Sequence, residues 1–279
     1  PSEINKNVKV DVAILANVKE SLPAVTALLQ PAKHTEWVAS FAVHEQEEWD
    51  RVINPEIHPE SGPITMGEAI NLVSEIASPT AVLATDVGQN QMMACRYFKL
   101  KSKRSLVTSG GLGTMGFGLP PAIGAALGAP ERQVCMFSGD GGIQMTIQEL
   151  GTIMEYNIPV KIIILNNKFL GMVRQWQELF FRERYSSTPM QSPDFTLVAK
   201  AYAIAANKVD KREDLKEAIR EMLEHKGPYL LEVMVEPLAR SLDMYAAAGM
   251  QWFGGGRDLA DATRALTIEH NGNRIAFVG

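Results

Sequence analysis

Short apolar runs alternate along this chain with longer stretches in which apolar residues recur every three or four positions. The runs at 8–15, 81–84, 134–137, 160–165 and 229–235 have strand length and little polar alternation, as expected of strands covered on both faces. Helical spacing predicts helices at 18–29, 36–52, 89–97, 117–127, 143–156, from Asn167 through Trp176, 195–202 and 213–223. Another helix begins at Thr65-Met66-Gly67-Glu68, where Thr65 is the N-cap and Glu68 stands at N3, the spacing of a capping box. Ahead of it, residues 54–63 carry three prolines and read as a linker. Strands alternating with helices predict an α/β fold, a parallel sheet with helices on both faces. The rhythm fails from Leu238 onward, past Gly254-Gly255-Gly256, and this tail reads as a C-terminal arm. The expected organisation is residues 1–30 as the end of a preceding domain, 31–64 as helix and linker, 65–237 as the main domain and 238–279 as the arm.

With 279 residues, 46% of them hydrophobic, the chain can build a large core. A net charge of −5 without a basic block argues against nucleic acid as a partner, and no apolar run is long enough for a membrane span. Two cysteines, Cys95 and Cys135, argue against a disulfide framework and for a reducing, cytoplasmic setting; both are expected in or near the core. The five histidines are scattered, with no local nucleophile motif. The chain opens at Pro1 and enters a strand-like run almost at once, so it is expected to be part of a larger protein.

Chemistry concentrates in Ser138-Gly139-Asp140-Gly141-Gly142 and Asn166-Asn167, with 29 positions from Gly139 to Asn167 inclusive. The predicted order strand, helix, strand makes a βαβ unit with a carboxylate after its first strand and carboxamides at the end of its second. In a parallel sheet both ends lie on one edge, where ligands bind. Asp and Asn offer hard oxygens suited to Mg²⁺ or Ca²⁺, and glycines let backbone N–H groups approach an anion. Together they predict a site for a metal-bound diphosphate. A second glycine turn, Asp86-Val87-Gly88-Gln89-Asn90, follows the 81–84 strand and opens a helix. A third cluster, Ser109 to Gly118, precedes an alanine-rich helix and suggests close backbone approach to a flat ligand. Taken singly, each also fits an ordinary turn or tight helix–strand packing.

The first pattern resembles the thiamin diphosphate (ThDP) enzymes, whose fingerprint is Gly-Asp-Gly, some two dozen residues, then Asn-Asn. With all three clusters the resemblance narrows to the acetolactate synthase family. The matching strings are Thr85-Asp86-Val87-Gly88-Gln89, Gly113-Thr114-Met115-Gly116-Phe117-Gly118-Leu119-Pro120 and Gly171-Met172-Val173-Arg174-Gln175-Trp176-Gln177, with Arg184-Tyr185-Ser186 and Pro193-Asp194-Phe195 behind them. The similarity covers residues 1 to 236 and is strongest from 80 to 200. It implies decarboxylation of pyruvate and its ligation to pyruvate or 2-ketobutyrate, in branched-chain amino acid biosynthesis.

The resemblance also implies roles. Asp140 and Asn167 are expected as side-chain ligands of Mg²⁺, with the Phe169 carbonyl as a third protein ligand. Val87, Gly88, Gln89, Asn90, Gly139, Gly141 and Gly142 are expected around the diphosphate, and Leu170, Gly171, Met172 and Val173 along the cofactor pocket. Gly113 would accept a hydrogen bond from the aminopyrimidine, and Met115 would sit beneath the cofactor. Trp176 is expected to favour 2-ketobutyrate as acceptor. The implied partners are further catalytic subunits in a homodimer or tetramer, a regulatory small subunit and small 2-keto acids. FAD is implied for the full-length enzyme, with residues 1–30 as the end of its FAD-binding-type middle domain. The glutamate that faces the pyrimidine N1′ is expected in an N-terminal domain, so no catalytic residue is assigned here, and the chain alone is expected to be inactive.

Two departures stand out. Asn90 occupies a position where the family has His, and Leu242 to Gly249 lacks the family's Phe-Pro-Met-Val-Pro-like string. The alternatives are another ThDP-dependent decarboxylase, oxidase or carboligase, and a non-catalytic interaction module with the same fold.

Overall fold

The computed structural model describes residue 2 and residues 4–237, together with 267–270 and 273–276. The chain divides into two units, 1–43 and 44–279. In the first, α1 (Val18–Ala27) is capped by Asn17, whose side-chain oxygen accepts from the Lys19 N–H at 2.9 Å. Residues 8–15 form bends instead of the expected strand. Among the described residues of this unit no strand is present to complete the hydrogen bonds of a lone apolar run.

The helix expected at 36–52 is α2 (Thr35–Glu48), after which the backbone widens into a π-helix at Trp49–Ile53. It continues as α3 (Asn54–Ile57), with Pro55 in the first turn, where a missing N–H costs little. Part of the expected linker is therefore helical.

In the second unit, β1 (Val82–Thr85), β2 (Leu106–Val107), β3 (Val134–Gly139), β4 (Val160–Asn166), β5 (Ala205–Val209) and β6 (Tyr229–Met234) form one parallel sheet in the order β2-β1-β3-β4-β6-β5. Thr85, Phe137, Ile163, Leu231 and Asn207 lie side by side across five strands. Alternate residues feed two cores. Leu83, Phe137, Ile163, Leu165 and Leu231 pack with α4 (Met66–Ile76), α5 (Gln89–Tyr97) and α11 (Arg212–Glu224). Ala84, Met136, Ile162, Ile164 and Leu230 pack with α6 (Leu119–Gly128), α7 (Asp140–Gln144), α8 (Leu150–Tyr156) and α10 (Phe195–Ala201). Every residue of β4 is buried, which is why its sequence is apolar apart from Lys161 and Asn166.

Thr65 caps α4 as expected, accepting from the Glu68 N–H at 3.0 Å. The Glu68 carboxylate is instead held by Arg212 Nε at 2.8 and 3.0 Å, so that arm of the predicted capping box is spent on an ion pair. The continuous helix expected at 143–156 is broken into α7, a 3₁₀ turn at Ile147–Glu149, and α8. Thr146 leaves helical geometry at the break, and its Oγ1 donates to the Gly116 carbonyl at 2.9 Å. Two strands went unread: β2 has only two residues, and β5 is a polar edge strand. Cys135 is buried, but Cys95 is exposed, contrary to expectation. In the predicted arm, β7 (Thr267–His270) and β8 (Asn273–Ala276) pair antiparallel; the rest of that arm lies outside the described residues.

Candidate functional site

From β1 the chain crosses to β2 on one side, and then returns to place β3 on the other. The switch point therefore lies between the carboxyl ends of β1 and β3, where a crevice opens in such sheets. The turn after β1 (Asp86–Gly88), the start of α7 after β3, and the 166–170 turn after β4 converge there.

Between these turns is a cavity of about 210 Å³. All of the residues expected around the cofactor line it: Val87, Gly88, Gln89 and Asn90; Gly113 and Met115; Gly139, Asp140, Gly141 and Gly142; Asn167, Phe169, Leu170, Gly171, Met172 and Val173. Met66 and Leu165 complete the wall and had not been singled out. Trp176 is outside it, half exposed, with its ring stacked on Phe180 at 5.1 Å.

The helix starts that face the cavity lack side-chain caps. Neither Gly88 before α5 nor Leu170 before α9 (Gly171–Phe180) supplies a side-chain hydrogen bond to the first turn. Those N–H groups and the positive ends of the helix dipoles suit an anion. A Cβ at Gly171 would lie 2.2 Å from Gln89 Oε1 and 2.7 Å from Asn167 Nδ2, so any larger residue would displace these two side chains.

Asp140 is 1% exposed. Its Oδ2 accepts from Ser192 Oγ at 2.7 Å, and its Oδ1 is buried without a hydrogen-bond partner. Burial pushes its carboxyl above the usual range, and the Ser192 hydroxyl pulls it only partly back. Asn167 Oδ1 accepts from the Phe169 N–H at 3.1 Å. Gln89 takes a long contact from Asn167 Nδ2 at 3.4 Å and donates to Gln175 Oε1 at 3.1 Å. Asn90 Nδ2 donates to the Val87 carbonyl at 3.3 Å, and its Oδ1 is buried and unpartnered. Unpaired acceptors in a cavity wall favour a ligand that brings positive charge or donors.

Asp86 acts behind the wall. Its Oδ1 accepts from the Val87 and Gly116 N–H groups at 2.6 and 2.9 Å, and its Oδ2 from Ser138 Oγ at 3.1 Å. One carboxylate thus ties all three glycine clusters together. Its place in the Asp86-Val87-Gly88 string was a signal for this, though no role had been assigned. Gln175 likewise stood inside the Gly171–Gln177 string with no role assigned, and Ser192 carried no local signal. Among the described residues no three His, Cys, Asp or Glu side chains converge as a metal cluster. The side-chain oxygens in this wall, the Asp140 carboxylate and the Asn167 carboxamide, are of the kind that suits a hard cation.

A family model described as "Thiamine pyrophosphate enzyme, C-terminal TPP binding domain" matches residues 86–233. The chain is 39% identical over 251 residues to the acetolactate synthase large subunit of Lactococcus lactis, covering 88% of this chain and 42% of that protein. It is 38% identical to the acetolactate synthase isozyme 2 large subunit of Escherichia coli, covering 85% and 42%. It is also 38% identical to acetolactate synthase 1 of Nicotiana tabacum, covering 89% and 38%. The chain thus spans about two fifths of the length of these curated relatives. Among solved structures, the thiamine diphosphate-dependent 4-hydroxybenzoylformate decarboxylase of Rhodococcus jostii RHA1 superposes with a TM-score of 0.60 at 28% identity, over 64% of this chain and 34% of that one. Among the described residues no helix is long and apolar enough to cross a membrane.

Proposed function

The chain belongs to the thiamine pyrophosphate enzymes through their C-terminal TPP binding domain, and on that premise we propose that it is the diphosphate-holding part of an acetolactate synthase. The observation that carries this reading is the buried, unpartnered Oδ1 of Asp140 in the cavity wall beside Asn167. A lone carboxylate oxygen there is costly by itself and would be well matched to a divalent cation accompanying a diphosphate. Asp140, Asn167 and the Phe169 carbonyl would hold Mg²⁺, and the N–H groups opening α5 and α9 would face phosphate oxygens. Thiamine diphosphate, when bound, supplies the carbon nucleophile for cleaving a 2-keto acid and joining the remaining two-carbon unit to a second one. The chain's own part is to fix the cofactor's charged end, place Met115 and the Gly113 carbonyl beside its rings, and line the approach with Met172 and Val173.

Trp176, with its indole half exposed, is proposed to contact the acceptor keto acid in the assembled enzyme. FAD would be held by other parts of the protein, and assembly with further catalytic subunits and a regulatory subunit in the cytoplasm completes the proposal. The likeness to a 4-hydroxybenzoylformate decarboxylase supports a second reading, a simple 2-keto acid decarboxylase. Product analysis of the full-length protein separates the two: acetolactate from pyruvate supports the first, and release of the aldehyde alone the second. Asp140→Ala is expected to abolish Mg²⁺-dependent uptake of thiamine diphosphate in calorimetry, and unchanged affinity would refute the cation assignment.

A further inference from the structure

Glu232 stands on β6, 1% exposed and outside the cavity wall. A buried carboxylate is costly unless its oxygens are engaged. Oε1 accepts from the side-chain Nδ2 of Asn166 at 2.7 Å. Oε2 makes no hydrogen bond but lies 3.3 Å from Lys208 Nζ, an ion pair between residues directly opposite on β5 and β6. Because a carboxylate only accepts, it leaves Asn166 one orientation, with its NH₂ toward Glu232 and its oxygen turned away. That oxygen accepts from the Lys168 N–H at 3.0 Å, and in the next step Asn167 Oδ1 accepts from the Phe169 N–H at 3.1 Å. The two overlapping Asx turns hold Lys168 at a φ of 60°, a left-handed conformation uncommon for a side chain such as lysine. The Asn166 carbonyl also receives the Val235 N–H at 3.0 Å, so the ends of β4 and β6 are locked together beside the turn.

We propose that Glu232 is the positioning residue of the 166–169 turn, setting the Asn167 and Phe169 oxygens through the Asn166 amide. Its use for a cation rests on the function proposed above; its hold on the turn does not. The Lys208 pair is a separate contact of the same carboxylate and serves its neutralisation, not the turn.

Hydrogen exchange on the ligand-free 279-residue chain tests the turn without any cofactor, and calorimetric titration with thiamine diphosphate at graded Mg²⁺ tests its use. In Glu232→Leu, which removes the acceptor, exchange in peptides covering 166–170 is expected to accelerate, and the Mg²⁺ midpoint for cofactor uptake to rise about tenfold, the usual cost of losing an outer-shell partner. Glu232→Gln, whose carbonyl can still accept from Asn166, should recover most of both. Lys208→Met should leave both at parent values. Should Glu232→Leu fail to fold, Asn166→Ala breaks the same relay from the other side and is expected to show the same two changes. Parent-like exchange and Mg²⁺ midpoint in Glu232→Leu or Asn166→Ala would overturn the proposal. So would a Lys208→Met variant as impaired as Glu232→Leu, because the carboxylate would then act only as an ion-pair partner. If the parent takes up no thiamine diphosphate at any Mg²⁺ concentration, the proposed function fails, and the exchange arm alone decides whether Glu232 sets the turn.

Discussion

Burial with only one of its two oxygens hydrogen-bonded sets the Asp140 carboxylate against the stability of the ligand-free fold. Its carboxyl is pushed upward, mainly by burial, so the charged form is disfavoured where it stands. Asp140→Asn keeps the size of the side chain and an oxygen for the Ser192 hydroxyl while removing the charge. By removing the buried charge that burial disfavours it should stabilise the ligand-free chain, even though an amide NH₂ then takes the unpartnered position, and it should remove Mg²⁺-dependent binding. A denaturant series on both chains checks this; a less stable variant would show that the carboxylate contributes to folding. The residues of the cavity wall were legible because their signals are local: glycines, Asp140 and Asn167 sit in short strings at strand ends. Their supports were not. Gly116 reaches Asp86 across 30 positions, Ser192 reaches Asp140 across 52 and Glu232 reaches Asn166 across 66, distances that the fold closes but no local pattern marks.

At the level of elements, the apolar runs that became β1, β3, β4 and β6 were legible because both faces of each are covered. β5 was not, because Ala205 to Lys208 lie at the sheet edge and carry little apolar pattern. The break between α7 and α8 shows a tertiary contact overriding a helical pattern. Gly116 has a φ of 85°, and a Cβ on it would lie 2.9 Å from Met145 Cβ and 3.2 Å from Thr146 Cγ2. The glycine loop carrying Gly113 and Met115 can dock only because the helix opens at this point. Gly116→Ala would add a left-handed backbone penalty to an overpacked contact, together about 2–4 kcal/mol. Chemical denaturation should show that loss. A variant within about 0.5 kcal/mol of the parent, the range of ordinary surface changes, would mean that the loop and the break are not coupled.

Over the whole molecule, buried titratable groups set opposing trends at alkaline pH. Lys161, in the central strand, donates to the His225 and Gly227 carbonyls, and burial pushes it from 10.5 down to about 8. Cys135 lies opposite it on β3, and burial pushes its thiol from 9.0 up to about 12. Burial likewise raises Tyr97 and Tyr229 from 10.0 to about 12. Stability follows the difference in bound protons between the unfolded and folded chains. From pH 8 to 10.5 the unfolded chain keeps a proton that folded Lys161 has lost, so stability from this group rises with pH. Above pH 9 the unfolded chain loses the Cys135 proton while the fold retains it, and above pH 10 the tyrosine protons follow, so these three groups lower stability as pH climbs. Of these four groups only Lys161 acts between 8 and 9, which predicts increasing stability there, a maximum at about pH 9 to 10 and a steep fall beyond it. Lys161→Met leaves two carbonyls without their donor and should be less stable throughout, so the diagnostic is the shape of its profile. The rise between pH 8 and 9 should disappear while the fall above 10 remains. In Cys135→Ala the rise should continue to near 10 instead of levelling off near 9. Urea unfolding of the three chains at half-unit pH intervals checks this. A parent profile that is flat or falling between 8 and 9, or a Lys161→Met profile that still rises there, would show that Lys161 keeps its proton in the folded sheet, held by the two carbonyls against the cost of burial.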